Sequence, residues 1–411
     1  MREEIFSVLE RDITIEVAGN SVNSVRKKSI VKKSARIFCD GKIFSSSYIG
    51  DLEDCALVDS ARKNIDSALE YNYELPEITP QSKTNLIKSK TEIELFAEID
   101  GTLNWLKQKY PEFVFSGNAN LKKTKKELVY KGIGKLDHEF DICSWSLIYR
   151  HKKSQGIIDG YFGAETICGF DIQAIALDYA PYLDSFECNV ELRSGEIPVV
   201  FMNPNSLFTK VLESARADNY KREIGLFKGK LGQAILDEKF SLSDISYNPE
   251  LMALDLFDAE GYIRSNAELE LIKNGIFTNL ICDLNNAEKY KLKQTGNSQR
   301  EFDTASRLDF NSIRVKAGQR SVKEILNELP ECIIVEMAAG GAFTDIGDYS
   351  TPVQNGFLVR YGKIIGKVPQ VTLLSSVGKM FGSNLIEIAK DAISSVGPNP
   401  AIFSKMNVLM S

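Results

Sequence analysis

Asn274–Asn297 (NGIFTNLICDLNNAEKYKLKQTGN) restricts how this chain can fold more than any other stretch. It opens on Asn274-Gly275, a dipeptide that tolerates the left-handed dihedrals of a two-residue hairpin turn. Ile276, Phe277, Leu280 and Ile281 follow as an apolar run, and a short segment rich in Ala, Glu and Lys comes next. Thr295-Gly296-Asn297 closes the stretch as a second turn. The local reading is strand, small helix, turn.

The rest of the chain reads as strands broken by a few helices. Residues 3–10 suit a short helix. Ile13–Gly19, Ser24–Lys33 and Ala35–Asp40 cluster β-branched residues between Gly, Asn and Asp breaks and predict a β-meander. Arg26-Lys27-Lys28 and Lys32-Lys33 make it basic, as expected of a solvated or edge-protecting strand face, with an anionic-ligand patch as the alternative. Leu52, Cys55, Ala56, Val58, Ile65 and Leu69 recur near helical period across Asp51–Glu70. Beyond a polar connector (Glu74–Lys90), Thr91 and Glu94 have the spacing of a capping box. Leu95, Phe96, Ile99, Leu103 and Leu106 then form one stripe, ended by Pro111. Phe113–Tyr149 alternates like strands, and Gly169–Phe186 looks helical.

Ser194-Gly195-Glu196 marks a break, and two domains are expected for 411 residues: an α+β domain over 1–195 and a β-rich domain over 196–411. In the second, Pro198–Met202 reads as a buried strand. Asn203-Pro204 then starts a helix over Asn205–Asn219, with Pro at the first helical position. Gly229–Gly232 is a loop, and strands follow, interrupted by short helices near Ser321–Leu329 (Ser321 and Glu324 spaced as a second capping box) and Ser376–Ile388.

Composition narrows the class. A net charge of −6 argues against a dedicated nucleic-acid binder, which needs a basic footprint. The seven cysteines are odd in number, scattered and without a C-x-x-C pair, as expected of free thiols in a reducing compartment. The N-terminus carries no secretory h-region, and no apolar run approaches the roughly 18 to 20 residues of a membrane span, so a cytoplasmic location is expected.

The wording of Asn274–Asn297 resembles the TldD/PmbA family of peptide-processing proteins, once called modulators of DNA gyrase. Thr344–Lys363 (TDIGDYSTPVQNGFLVRYGK) matches a second family block, and Asp258-Ala259-Glu260-Gly261 a third. The resemblance covers roughly residues 200–410. It implies that the helix after the strand-Asn-Pro unit carries H-E-x-x-x-H in catalytic members: two imidazoles binding zinc, the Glu as general base, and a C-terminal Cys completing the site. Here that motif falls on Leu212-Glu213-Ser214-Ala215-Arg216-Ala217, so Leu212 and Ala217 stand at the ligand positions and only Glu213 survives. Zinc needs three or four N, S or O ligands at about 2.0–2.3 Å, and an aliphatic chain and a methyl supply none. No cysteine follows Cys332.

Other chemical signals are weak. His138 and His151 are the only histidines, so no zinc-type His pair occurs at helical spacing. His138-Glu139-Phe140-Asp141-Ile142-Cys143 imitates a metal helix, but its surroundings alternate as a strand, where residues five apart face opposite sides. His151 reads as a turn residue. Glu213 reads as a helix-surface carboxylate paired with Lys210, Arg216 or Arg222. Asp303-Thr304-Ala305 lacks the Gly of an aspartic-protease triplet, and Asp345 and Asp348 read as turn residues.

The resemblance therefore implies a metal-free, TldE/PmbA-like subunit with no metal or cofactor of its own. Such a subunit works beside a zinc-bearing TldD-like partner and helps enclose unfolded peptides, in a heterodimer or with itself. Asp345, Asp348, Tyr349, Ser350, Asn355, Gly356 and Phe357 are the expected peptide- or partner-facing residues, with a structural hairpin as the alternative. A stand-alone homodimeric scaffold is the second reading, and a peptidase with a relocated site the third.

Overall fold

A 17-residue strand, β1 (Arg2–Ala18), pairs antiparallel along its whole length with β2 (Ser21–Cys39). The computed structural model describes residues 1–410 apart from 65–67, 86–89, 168 and 396. The helix expected over 3–10 is instead the start of β1. An isolated helix of that length is marginal in water, whereas here β2 and β6 (Phe113–Tyr130) flank the segment on both sides and satisfy its backbone. The three short strands expected up to Asp40 fuse into β1 and β2, and β3 (Lys42–Ile49) completes the meander. Three of the five basic residues of this stretch are matched by carboxylates: Lys27 with Glu92 at 2.6 Å, Lys32 with Glu10 at 2.6 Å and Lys33 with Asp54 at 3.2 Å.

Helix α1 (Asp54–Lys63) turns Leu57, Val58 and Ala61 onto one face of this sheet; Ile65 lies outside the described residues. Leu69, expected in the helical stretch, lies instead in the short strand β4 (Leu69–Glu70), paired with β3, and β5 (Gln81–Asn85) falls within the expected connector. Helix α2 (Glu92–Lys109) starts at the predicted capping box, with Thr91 accepting from the Glu94 N–H and Glu94 accepting from the Thr91 N–H. Leu95, Ile99, Leu103 and Leu106 are buried, but Phe96 sits off the stripe and is exposed. β6 (Phe113–Tyr130), β7 (Gly134–His151) and β8 (Gly160–Thr166) complete an eight-stranded sheet, and α3 (Ile172–Asp184) follows.

Strand β9 (Gly195–Phe201) begins a second sheet that shares no strand with the first. After it come the helical turns α4 (Thr209–Ser214) and α5 (Ala217–Lys221), then β10 (Leu242–Ile245) and the ribbon β11 (Tyr247–Asn248)–β12 (Ala253–Leu254). β13 (Glu268–Lys273) and β14 (Ile276–Phe277) form the predicted hairpin; Asn274 and Gly275 have φ of 47° and 75°. α6 (Leu284–Tyr290) is the small helix expected next. β15 (Ser298–Gln299) pairs β16 (Arg307–Leu308), and β17 (Ser312–Val315) joins β10, β13 and β14 in a four-stranded sheet.

Helix α7 (Val322–Glu328) carries the second capping box. β18 (Cys332–Ala338), β19 (Ala342–Phe343), β20 (Asp348–Arg360), β21 (Lys363–Lys367), β22 (Val371–Ser376), β23 (Leu385–Ile388) and β24 (Ile402–Met410) finish the chain. The order β18-β9-β24-β22-β20, with β20 also paired to β18, closes five of these strands into a ring. The helix expected over Ser376–Ile388 is a single turn at Lys379–Ser383. Leu385 and Ile388 pair instead with β24, while Met380 and Phe381 fill the core.

The two sheets share apolar packing. One cluster joins Leu95 and Leu106 of α2, Tyr179 and Leu183 of α3 and Phe115 and Trp145 of the first sheet to Ile334, Phe357 and Phe403 of the second. The six described cysteines are all free thiols; Cys168 lies outside the described residues. Among the described residues no helix is long and apolar enough to cross a membrane.

Candidate functional site

The segment that would carry the metal motif is not one helix over Asn205–Asn219. The Asn203 side chain accepts from the Asn205 N–H at 3.1 Å, a 3₁₀ turn spans Asn205–Phe208, and α4 ends at Ser214. Arg216 is extended (φ −79°, ψ 131°) before α5 begins. The break has a tertiary cause: Ile281 N–H donates to Ala215 at 2.8 Å and Ala217 N–H donates back to Ile281 at 3.1 Å, so the chain forms a strand-like bridge here. Leu212 and Ala217 therefore lie on two separate helical turns.

Their surroundings do not fit a zinc ion. Leu212 packs against the apolar core of the second half, and Ala217 is fully buried. Glu213 is held at 2.8 Å by Lys210, the first of the partners expected for it. Three positions thus present an alkyl group, an ion-paired carboxylate and a methyl where a zinc site needs converging N, S or O donors.

Both histidines are core residues. His138 lies on β7, its Nε2 3.0 Å from Asn85 Oδ1, and burial pushes its pKa down to about 4. Cys143 is also on β7 and fully buried, and burial pushes its thiol up to about 11. The strand reading of this segment holds. His151 is both the last residue of β7 and the first of the expected turn: its carbonyl accepts from the Ser154 N–H at 2.9 Å, while its ring is buried against Phe113 and Phe186. Asp303 and Thr304 sit on an exposed loop where Thr304 Oγ1 accepts from the Glu301 N–H.

The 344–363 block is a hairpin turn leading into β20. Thr344, rather than either aspartate, closes the turn: its hydroxyl accepts from the Asp348 N–H at 3.1 Å and its carbonyl from the Gly347 N–H at 3.0 Å. Asp345, Asp348 and Ser350 are exposed. Tyr349, Asn355, Gly356 and Phe357 are buried, so the expected outward-facing set is corrected at these four. Alternation along β20 carries Tyr349 inward, and its second half is covered by β18, β21 and α3. Asp345 lies 3.7 Å from Lys210 Nζ, which brings the exposed tip beside Glu213.

The remaining signature residues hold loops together. Asp258 accepts from the N–H groups of Glu260, Tyr262 and Ser298, while burial still raises its carboxyl to about 6. Asp244, Arg264, Asn297 and Asn311 form a buried network in which Arg264 donates to Asp244 at 2.8 Å and to Asn297 at 2.9 Å. Asp244, Arg264 and Asn311 had no local signal in the sequence; only the meeting of β10 with two distant turns gives them a role.

Comparison with known proteins agrees with this architecture. The description "PmbA/TldA metallopeptidase C-terminal domain" matches residues 194–409, more than half of the 411. An uncharacterized protein of Methanocaldococcus jannaschii is 23% identical over 200 residues, 47% of this chain and 44% of that one. Metalloprotease PmbA of Escherichia coli O157:H7 is 24% identical over 204 residues, 49% of this chain and 42% of that protein. The matched stretch thus spans less than half the length of these curated relatives. The crystal structure of TldE from Thermococcus kodakarensis shares the fold, with a TM-score of 0.85 at 18% identity over 100% of this chain and 97% of that one. The sequence blocks, the ring of strands they build and the family model agree: this chain belongs to the PmbA/TldD family of metallopeptidase-related proteins.

Proposed function

We propose that this chain is a non-catalytic member of its family, which holds unfolded peptide segments beside a zinc-bearing, TldD-like subunit that cuts them. The observation that carries the reading is the side-chain set at the metal positions. Leu212 and Ala217 have no donor atoms, and Glu213 is engaged by Lys210 at 2.8 Å. A general base without a metal-bound water has nothing to deprotonate for hydrolysis of this type.

The exposed tip formed by Asp345, Ile346, Asp348 and Ser350 is the surface assigned to peptide or partner. Ile346 is 77% exposed there, between Asp345 and Asp348 in sequence, and Asp345 lies 3.7 Å from Lys210 Nζ. Binding by a β-rich subunit needs little side-chain specificity, because an extended peptide is recognised chiefly through its backbone. A reducing, cytoplasmic setting is part of the proposal and agrees with the free thiols.

The test is a mixing experiment. The chain is purified alone and together with a zinc-bearing family member, and cleavage of an unfolded reporter peptide is followed while metal is measured by mass spectrometry. Hydrolysis that rises when the two are mixed, with zinc confined to the partner, supports the proposal. Stoichiometric zinc on the isolated chain, or cleavage by it alone, overturns it. A self-associated chain that adds nothing to the partner's activity favours a homodimeric scaffold instead.

A further inference from the structure

Strand β3 covers only the C-terminal part of β2. Its pairing runs from Cys39 back to Lys32, and the Gly50 N–H adds a last bond to the Val31 carbonyl at 2.8 Å. The chain then leaves for α1. Since Val31 turns its backbone away from β1, alternation turns the N–H and C=O groups of Ser29, Lys27 and Val25 the same way. Among the described residues nothing pairs with these groups. Every residue from Val25 to Ser29 is exposed.

The two faces of this open edge differ. Lys27 reaches α2, where it pairs with Glu92 at 2.6 Å, and Val25 shares its face by alternation. That side carries exposed apolar groups: Val25 is 40% exposed, and on α2 Ile93 and Phe96 are 80% and 40% exposed. Arg26 and Lys28 take the opposite face and join no ion pair among the described residues. Asp12 lies opposite Lys28 across the ladder without reaching ion-pair distance.

A second copy of β2 laid antiparallel on this edge and centred on Lys27 would set Arg26 opposite Lys28 in both directions, and like charges facing each other oppose that pairing. An unpaired edge takes an extended segment through main-chain hydrogen bonds, with side chains alternating between the two faces. We propose that Val25–Ser29 of β2 takes an added strand from a peptide or protein segment of alternating acidic and apolar residues. Its carboxylates lie beside Arg26 and Lys28, and its apolar side chains beside Val25 and α2. The edge belongs to the first sheet rather than to the 344–350 tip, and binding needs neither a zinc-bearing partner nor cleavage, so it stands or falls independently of the proposed function.

Fluorescence-anisotropy titration of the isolated full chain tests it with labelled, end-capped peptides of about eight residues. One alternates glutamate and valine, one is the same peptide N-methylated at every residue, which removes its backbone donors, and one alternates lysine and valine. The glutamate–valine peptide binds; the other two bind at least about tenfold more weakly. Combining Arg26→Glu with Lys28→Glu reverses the preference toward the lysine peptide. Val25→Pro, which removes an outward N–H and leaves the ladder to β1 intact, abolishes binding. No binding of the glutamate–valine peptide, equal binding of the acidic and basic peptides, undiminished binding of the N-methylated one, or an unchanged preference in the charge-reversed variant overturns the assignment. So does self-association in sedimentation that Val25→Pro abolishes, which gives the edge to a second copy. Should Val25→Pro not fold, as judged by circular dichroism, the charge-reversed variant decides.

Discussion

The Tyr149 hydroxyl donates a 2.7 Å hydrogen bond to Glu336, joining β7 of the first sheet to β18 of the strand ring. The Asn355 amide at 2.6 Å and the Tyr161 N–H at 2.9 Å complete the shell of this buried carboxyl. Burial is the largest influence and raises its pKa from 4.5 to about 7, with the hydroxyls of Tyr179 and Tyr149, the Tyr161 N–H and the Asn355 amide partly opposing it.

A pH dependence follows. Because the folded state holds this proton more tightly than the unfolded chain, the stability it contributes is full below about pH 4.5 and is lost as pH rises through about 7. The full span is about 3 kcal/mol. Asp258, raised to about 6, slopes the same way. His138, held down to about 4 by burial, slopes the opposite way up to its ordinary value of 6.5, so the Glu336 contribution is read from the difference between the chain and Glu336→Gln in urea midpoints measured from pH 4.5 to 8; an unchanged slope in that variant contradicts the assignment. Glu336→Ala, which strands Tyr149 and Asn355, is expected to cost about 3 kcal/mol at pH 5.

The Asp244 carboxylate is fully buried and receives Arg264, Asn297 and Asn311. Asp244→Ala leaves the Arg264 cation uncompensated in the interior. A loss of about 3–5 kcal/mol is expected in chemical denaturation. A loss below about 1 kcal/mol would mean the network contributes little.

Two glycines give opposite outcomes on gaining a methyl. At Gly275 (φ 75°) a Cβ would lie 2.3 Å from the Leu236 carbonyl oxygen, so Gly275→Ala destabilises by more than about 2 kcal/mol. At Gly101, exposed within α2, a Cβ meets nothing within 4 Å. Gly101→Ala stabilises by about 0.5–1 kcal/mol. Thermal melts of the two variants are expected to shift in opposite directions.

Both capping boxes are complete, at Thr91–Glu94 and Ser321–Glu324. Thr91→Ala and Ser321→Ala each lower stability by about 1 kcal/mol. The two sites lie on separate helices, and the double variant is expected to sum the single losses within about 0.5 kcal/mol. A larger deviation would reveal coupling between α2 and α7.

Local features were legible wherever the physics was local. The capping boxes, the Asn274-Gly275 turn, the alternation of β6 and β7 and, Phe96 apart, the apolar stripe of α2 all depend on residues within a few positions of one another, and each is where the sequence places it. The missing donor atoms at Leu212 and Ala217 are likewise a property of side-chain type alone.

Partners distant in sequence decided the rest. Residues 3–10 became strand because β2 and β6 pair on both sides, and the helix after Pro204 broke because Ile281 takes its backbone bonds. Asn355 and Phe357 turned inward under neighbouring strands, and Arg300 met Glu4 across 296 residues. A sequence specifies which groups a chain carries and how each short segment prefers to bend. Which of them are buried together, and hence which charges are matched and which carboxyls are driven toward their neutral form, depends on contacts that exist only once the sheets have closed on one another.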